Sequence, residues 1–283
     1  MNSGGYRVRQ KFLTEIEFPP PPKIIPERKI IASLTSWTKR IGTAHLAVQT
    51  ILNQTRQPDL TVLYLFEGDF PQRENDLPKE LLALRSERFE IRWYKNNLRP
   101  ALKLIPALKD FPDDIIITFD DDLFYPDAVI ERLLNGYKKH PEMIQAHRVT
   151  NVIFDATGNI KLSNQIPFDC PSYIHKITSV ASCLYAPSLF NEEVLNERAF
   201  LRLSPTNDDV WFWAMAILNG RRVNVVENNI DTLNYIPGTQ HVGLSITNDG
   251  EQQLTLKCIE NVLNAYPVLR EILRYEQRLA NGC

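Results

Sequence analysis

The chain has few cysteines, no long apolar run and no excess of charge of one sign. Its four cysteines in 283 residues lack paired metal-ligand spacing, which predicts reduced thiols and neither a zinc site nor a disulfide framework. No apolar run reaches the length of a membrane span, and the polar N-terminus lacks a signal-peptide core. The formal net charge of -2 offers no broad basic field to a nucleic-acid backbone. We therefore expect a cytoplasmic protein that does not bind nucleic acid.

Two common nucleotide-binding motifs are also missing. The sequence contains no Walker pattern of Gly, Lys and Ser/Thr, and no glycine-rich dinucleotide fingerprint follows the first predicted strand. These absences argue against an ordinary NTPase or dehydrogenase.

What the chain does have is an alternation of strand and helix patterns. Such alternation predicts a doubly wound α/β domain with a largely parallel sheet. Pro106 would remove a hydrogen bond inside the third helix, so this helix should be short, kinked or late in starting. The predicted strands are 30–34, 61–66, 89–94 and 115–119, and the predicted helices between them are 44–52, 78–84 and 101–109.

The clearest chemical feature is a run of three acids, Asp120, Asp121 and Asp122, directly after the apolar strand 115–119. Strands that are apolar on both faces belong to parallel sheets, which bind ligands at the carboxyl ends of their strands. Adjacent carboxylates repel each other, and their hard oxygens suit Mg²⁺ or Mn²⁺. Acids at this point also make turns and helix caps, although Asp127 can serve the next helix. We interpret the cluster as a metal site for a phosphate-bearing substrate.

The other predicted strands bring polar residues to the same edge of the sheet. Hydroxyl and acidic groups there could bind a base and ribose, and basic groups could meet phosphate. The alternative for each basic residue taken alone is a solvated surface charge, but Lys103 is favoured as a site residue because it lies between Pro100 and the apolar Leu104. The residues concerned are Thr35, Ser36, Arg40, Glu67, Asn96 and Lys103.

A second acidic pair, Asp208 and Asp209, precedes the apolar run 210–218, which reads as a buried helix ending at Asn219 and Gly220. Helix capping and the helix dipole explain one acid at this position but do not require both.

With these motifs in this order, the chain resembles nucleotide-sugar-dependent glycosyltransferases of the GT-A fold, and within them family 2-like enzymes. The resemblance covers residues 29–220 and is carried by segments 33–41, 97–103, 119–122 and 207–211. It implies a Rossmann-like, mixed but mainly parallel sheet flanked by helices, with C-terminal helices.

The resemblance also implies roles for the acids. Asp120 and Asp122 would hold Mn²⁺ or Mg²⁺ on the donor diphosphate, and Asp121 would lie near the ribose or the metal. Asp209 matches the catalytic base of inverting members, and Asp208 stands where Glu is usual, which leaves the choice of base between these two. His241 could join the metal shell, or it could be an ordinary loop histidine.

The implied activity is a hexosyltransferase that moves a sugar from a UDP- or GDP-sugar to a saccharide or lipid-linked acceptor. The same resemblance implies that the transfer inverts the anomeric centre of the sugar. It also implies a role in bacterial surface polysaccharide or lipopolysaccharide synthesis, with peripheral contact at the inner face of the membrane. The alternatives are a nucleotidyl- or phosphotransferase and a non-catalytic carbohydrate-binding protein. A nucleotidyltransferase would normally show a glycine-rich basic loop after the first strand, and none is present. An acid-rich HAD phosphatase fits poorly because Leu123 and Phe124 follow the acids.

The predicted organisation has three parts. Residues 1–27 form a proline-rich lead. Residues 28–250 form the GT-A catalytic domain, divided into a donor-binding half, 28–125, and an acceptor half, 126–250. Residues 251–283 form two amphipathic helices packed on this domain, with a partner or membrane surface as the second interpretation.

Overall fold

A computed structural model describes residues 28–164, 171–226, 233–242 and 253–281. The predicted proline-rich lead lies outside these residues, as do Cys170 and Cys283. Cys183 and Cys258 are buried free thiols.

A mixed, mostly parallel sheet forms the centre of the molecule. In the part of the chain that the structure describes, it has seven strands. The strands of the described residues are β1 (Ile30–Thr35), β2 (Leu60–Phe66), β3 (Phe89–Tyr94), β4 (Ile115–Thr118), β5 (Ile144–Ala146), β6 (Val149–Phe154), β7 (Ile160–Ser163), β8 (His175–Ile177), β9 (Cys183–Tyr185) and β10 (Val223–Val225). The central sheet runs in the order β10-β5-β9-β4-β1-β2-β3. All neighbours are parallel except β9, which is antiparallel to β4 and β5.

The central strands are buried on both faces, as their apolar sequences predict. Every residue of β4 is buried, and so are the first five of β1. The buried hydroxyl of Ser33 in β1 donates to the backbone oxygen of Lys103, which fixes the segment after β3 against the sheet. The predicted α/β fold with a mainly parallel sheet is confirmed.

Helical structure is found in all three regions predicted between the first four strands, but the bounds differ in each. The first begins at Ile41 rather than at residue 44, because the Ile41 N–H already donates to the Trp37 oxygen, 2.9 Å away. The second is shorter than the predicted 78–84. The third, predicted at 101–109, starts late, as Pro106 led us to expect: a 3₁₀ turn, Arg99–Lys103, comes first, and Pro106 lies in the first turn of the α-helix that follows. The α-helices within the described ranges are α1 (Ile41–Leu52), α2 (Lys79–Leu82), α3 (Ile105–Asp110), α4 (Val129–Lys139), α5 (Glu197–Leu203), α6 (Asp208–Leu218), α7 (Leu254–Ala265) and α8 (Pro267–Asn281).

The C-terminal half adds a small sheet and a buried helix. Strands β7, β6 and β8 form an antiparallel sheet in that order. Helix α6 is buried on all sides, with Trp211 and Trp213 no more than 1% exposed. Helices α7 and α8 bury Ile259 and Leu273, and α8 contacts β6 and α6. Among the helices that the structure describes, none has both the length and the apolar character needed to cross a membrane.

Candidate functional site

A cleft of about 680 Å³ lies at the carboxyl edge of the parallel strands. Its lining combines residues that follow β1, β2, β3 and β4 with residues from the start of α6 and from the small sheet. This is the edge at which open α/β sheets bind ligands.

A single arginine holds two of the three acids that follow β4. The Nη1 atom of Arg40 lies 2.9 Å from Oδ1 of Asp121 and 2.9 Å from Oδ2 of Asp122. Ser36 donates a short hydrogen bond to Asp121. Burial raises the pKa of Asp121 although Arg40 and Ser36 oppose this. Burial, reinforced by the charge of Asp120, raises the pKa of Asp122 to about 6.

Lys103 joins the two acidic motifs. Its buried Nζ atom lies 2.7 Å from Oδ1 of Asp120, 2.9 Å from Oγ of Ser179 and 3.4 Å from Oδ2 of Asp208. Burial alone would lower the pKa of Lys103, but the carboxylates of Asp120, Asp208 and Asp209 outweigh it, and the pKa is raised. Burial raises the pKa of Asp208 to about 6 despite the nearby ammonium.

The second acidic motif is positioned by the start of α6. The side chain of Asn207 accepts a hydrogen bond from the Val210 N–H at 3.2 Å and donates one to Thr255 at 3.0 Å. Asp209 is only partly buried, and its two oxygens accept from the Ser179 N–H at 3.2 and 3.3 Å. The sequence therefore places a fixed, accessible carboxylate at the cleft.

The carboxylates after β4 fit a divalent cation that is shared with a ligand. Within the described ranges, Oδ1 of Asp122 is buried without a hydrogen-bond partner, and its Oδ2 accepts from Gln240 at 3.0 Å. Across the same ranges, no group of three or more His, Cys, Asp or Glu side chains could hold a metal by itself. Mg²⁺ is usually held by one or two carboxylates together with substrate phosphates, so two acids are a sufficient protein share.

Most of the predicted site residues meet in this cleft. The residues that line it are Thr35, Ser36, Arg40, Lys103, Asp120, Asp121, Asp122, Asp208 and Asp209. Three predicted residues lie outside its lining. The Glu67 carboxylate pairs with Arg73 at 3.0 Å, and the Asn96 amide donates to Glu197 at 2.6 Å. His241 is exposed, and it is its neighbour Gln240 that contacts Asp122.

The structure also adds site residues that sequence reasoning missed. The hydroxyl of Tyr125 accepts from the Asp120 N–H at 2.7 Å and donates to the Val180 oxygen at 3.1 Å. Ser179 contacts both Lys103 and Asp209. Tyr125 stands close to the acids in sequence and could have been found, whereas nothing local marks Ser179.

Comparison with known proteins places the fold. No model of a known protein family matches the chain, and neither does any curated protein. Among solved structures, the mannosyltransferase PcManGT from Pyrobaculum calidifontis, in complex with GDP-Man and Mn2+, aligns with a TM-score of 0.54 at 11% identity, over 97% of this chain and 76% of that chain. A 4-diphosphocytidyl-2C-methyl-D-erythritol synthase from Anaerococcus prevotii aligns with a TM-score of 0.44 at 14% identity, over 72% and 91%. Glucosyl-3-phosphoglycerate synthase from Mycobacterium tuberculosis aligns with a TM-score of 0.31 at 15% identity, over 42% of each chain.

At 11% identity, the likeness to the mannosyltransferase is a likeness of fold. The chain has a GT-A-like α/β fold.

Proposed function

We propose that this protein is a metal-dependent glycosyltransferase that moves a sugar from a nucleoside diphosphate donor to a saccharide or lipid-linked acceptor. The observation that carries the proposal is that two acidic motifs far apart in sequence share one cleft. Lys103 lies between them, within 2.7 Å of Asp120 and 3.4 Å of Asp208. A transferase needs both a site for the leaving diphosphate and a base for the attacking hydroxyl, and one motif suits each task.

The acids after β4 form the donor end of the proposed site. Asp122, through its unpartnered Oδ1, and Asp120 would hold Mn²⁺ or Mg²⁺. When bound, the cation would neutralise negative charge that develops on the departing diphosphate. Arg40 fixes the Asp122 carboxylate from its other oxygen, and Lys103 places a second positive charge beside Asp120.

Asp209 is the proposed base. It is the more exposed member of its pair, while the carboxylate of Asp208 is buried beside Lys103. Asp209 would take the proton of the acceptor hydroxyl as that oxygen bonds to the anomeric carbon and the bond to the donor phosphate oxygen breaks. A single displacement of this kind inverts the anomeric centre.

The resemblance in sequence motifs and the fold shared with a mannosyltransferase guide the choice of donor. That enzyme was seen with GDP-Man and Mn2+, so GDP- and UDP-hexoses with Mn²⁺ are the first donors to test. The setting we propose is bacterial surface polysaccharide synthesis at the inner face of the membrane, which rests on the family resemblance.

The first experiment measures thermal shifts with UDP, GDP, CDP and TDP, each with and without Mn²⁺. Ligand at a hundredfold excess over its Kd adds about 2.7 kcal/mol of stability, which a melting curve detects. We expect one nucleotide to stabilise the wild type only with Mn²⁺. The shift should disappear in Asp122→Asn and persist in Asp113→Asn, which removes an exposed carboxylate.

The second measurement is turnover of the matching nucleotide sugar. Asp209→Asn should lower kcat by about 10²- to 10⁴-fold while keeping the nucleotide shift. Absence of any nucleotide shift in the wild type would refute the donor site. Release of pyrophosphate from a nucleoside triphosphate and a sugar phosphate would instead identify a nucleotidyltransferase.

A further inference from the structure

The small sheet forms one wall of the cleft. Thr150 of β6 pairs with Lys176 of β8, so their side chains share a face of the sheet. Arg148 immediately precedes β6 and Thr178 immediately follows β8, and the Thr178 N–H donates to the Arg148 oxygen, which extends the register by one pair and adds both residues to this face. Together with Leu162, these residues line the cleft. We call this face the small-sheet wall.

The wall carries two cations that have no carboxylate partner among the residues that the structure describes. Lys176 is 5% exposed, and its Nζ atom donates to the Ile177 oxygen at 3.0 Å. Within the described segments, neither Lys176 nor the exposed Arg148 forms an ion pair with an acid. By contrast, Arg40 and Lys103, which line the same cleft, are each paired with two acids. A buried ammonium without a counter-charge is costly, and a bound anion would offset that cost.

The wall also adjoins the proposed base. After β8 ends at Ile177, the chain passes through Thr178 to Ser179, whose N–H donates to Asp209. The N–H of Thr178 donates to the Arg148 oxygen at 3.0 Å, which ties the two cation-bearing segments together. The wall is thus only one residue, Thr178 to Ser179, from a direct contact of the proposed base, and a group held on it could be presented to Asp209.

We propose that the acceptor saccharide carries an anionic group, a phosphate or a carboxylate, which Lys176 and Arg148 bind. This inference rests on the proposed function. Lysine acts as a point charge toward an anion, and arginine can bind phosphate or carboxylate through two parallel hydrogen bonds. The wall thereby selects charged over neutral saccharides and orients them toward Asp209.

The test is calorimetric titration of the full chain with glucose 6-phosphate, glucuronate and neutral glucose. Each titration is run on protein saturated with the nucleoside diphosphate and Mn²⁺, and again on protein free of both. We expect a charged probe to bind at least about tenfold more tightly than glucose. The preference between glucose 6-phosphate and glucuronate tells which anionic group the acceptor bears.

Three variants locate the binding. Lys176→Met and Arg148→Gln should each weaken the charged probe about tenfold and leave nucleotide affinity unchanged. Lys161→Met is the matched control, because Lys161 is opposite Ile153 in the register and points away from the cleft face of the same sheet. The affinity of the Lys161→Met variant for the charged probe should stay within about twofold of the wild-type affinity. Arg148 is exposed, so its variant tests the inference even if Lys176→Met fails to fold.

Equal affinity for glucose and the charged probes, no binding of any probe, or unchanged binding in both variants would overturn the inference. Loss of nucleotide affinity in the same variants would overturn it too, by assigning the cations to the donor diphosphate. The wild type could bind no nucleotide and still bind a charged probe in a way that depends on Lys176 and Arg148. In that case the transferase proposal fails and the anion site stands.

Discussion

The Nζ atom of Lys103 lies 2.7 Å from Oδ1 of Asp120, and this ion pair connects the segment after β3 with the segment after β4. The same ammonium lies 3.4 Å from Asp208 at the start of α6. One buried cation therefore balances acids from both motifs, and the two ends of the cleft depend on each other.

Replacing this cation should destabilise the protein strongly. Lys103→Met leaves Asp120 and Asp208 uncompensated, and removing one partner of a buried ion pair costs about 3–5 kcal/mol. Because the Asp120 side chain is 25% exposed, we expect a loss of about 3 kcal/mol in the free energy of unfolding. Urea unfolding at pH 7 measures it.

Lys109→Met is the matched control for Lys103. Lys109 pairs with Glu197, but its side chain is 37% exposed, so the loss should stay below about 1 kcal/mol. An equal loss in both variants would contradict the account of Lys103 as a buried counter-ion.

The N-cap of α6 should affect both stability and turnover. Asn207→Ala removes the hydrogen bond to the Val210 N–H, which should cost about 1–2 kcal/mol. Because Asn207 immediately precedes the acidic pair, we also expect kcat to fall about tenfold or more with little change in nucleotide affinity. Asn196→Ala removes a comparable cap, on the Ala199 N–H of α5, and should lower stability alone. Full activity in Asn207→Ala would exclude a positioning role.

Replacement by alanine should change the stability of the protein in opposite directions at two helical glycines. A Cβ atom on Gly136 would lie 2.5 Å from Oε1 of Gln145 and 2.7 Å from Cγ1 of Val226, so Gly136→Ala should cost about 1–3 kcal/mol. Gly42 in α1 has nothing within 4 Å of that position, and Gly42→Ala should add about 0.5 kcal/mol through helix propensity. Denaturant unfolding of the pair checks both signs, and a change of the same sign in both would be the contrary result.

His147 should make stability depend on pH. Burial lowers the pKa of His147 from 6.5 to about 4, and its Nε2 lies 3.2 Å from the Val129 oxygen. Between pH 4 and pH 6.5 the unfolded chain binds a proton at His147 that the folded chain does not. The titration of this histidine therefore leaves the free energy of unfolding unchanged above pH 6.5 and decreases it as the pH falls toward 4. Relative to His147→Gln, the wild type should lose up to about 3 kcal/mol between pH 7 and pH 4. Parallel profiles of unfolding free energy against pH would show that His147 contributes nothing.

The sequence predicted the framework of the site better than its details. The strand predictions before Asp120 are accurate to within a residue, because long apolar runs leave few choices for a buried strand. The helix predicted over 101–109 starts late, at Ile105, as Pro106 led us to expect, but periodicity did not show the 3₁₀ turn that precedes it. Glu67 and Asn96 followed the correct strands, but pairing with Arg73 and Glu197 holds them outside the cleft lining.

The sequence by itself determined that buried parallel strands end in acids at one edge of a sheet, because hydrophobic runs and alternating elements constrain topology locally. Only the tertiary structure decided which charges meet. Gln240 reaches Asp122 across 118 positions, and Arg40 reaches Asp121 across 81. The tertiary structure likewise leaves Lys176 buried without an acidic partner among the described residues. Such pairings depend on burial and on contacts between distant segments, which no local pattern encodes.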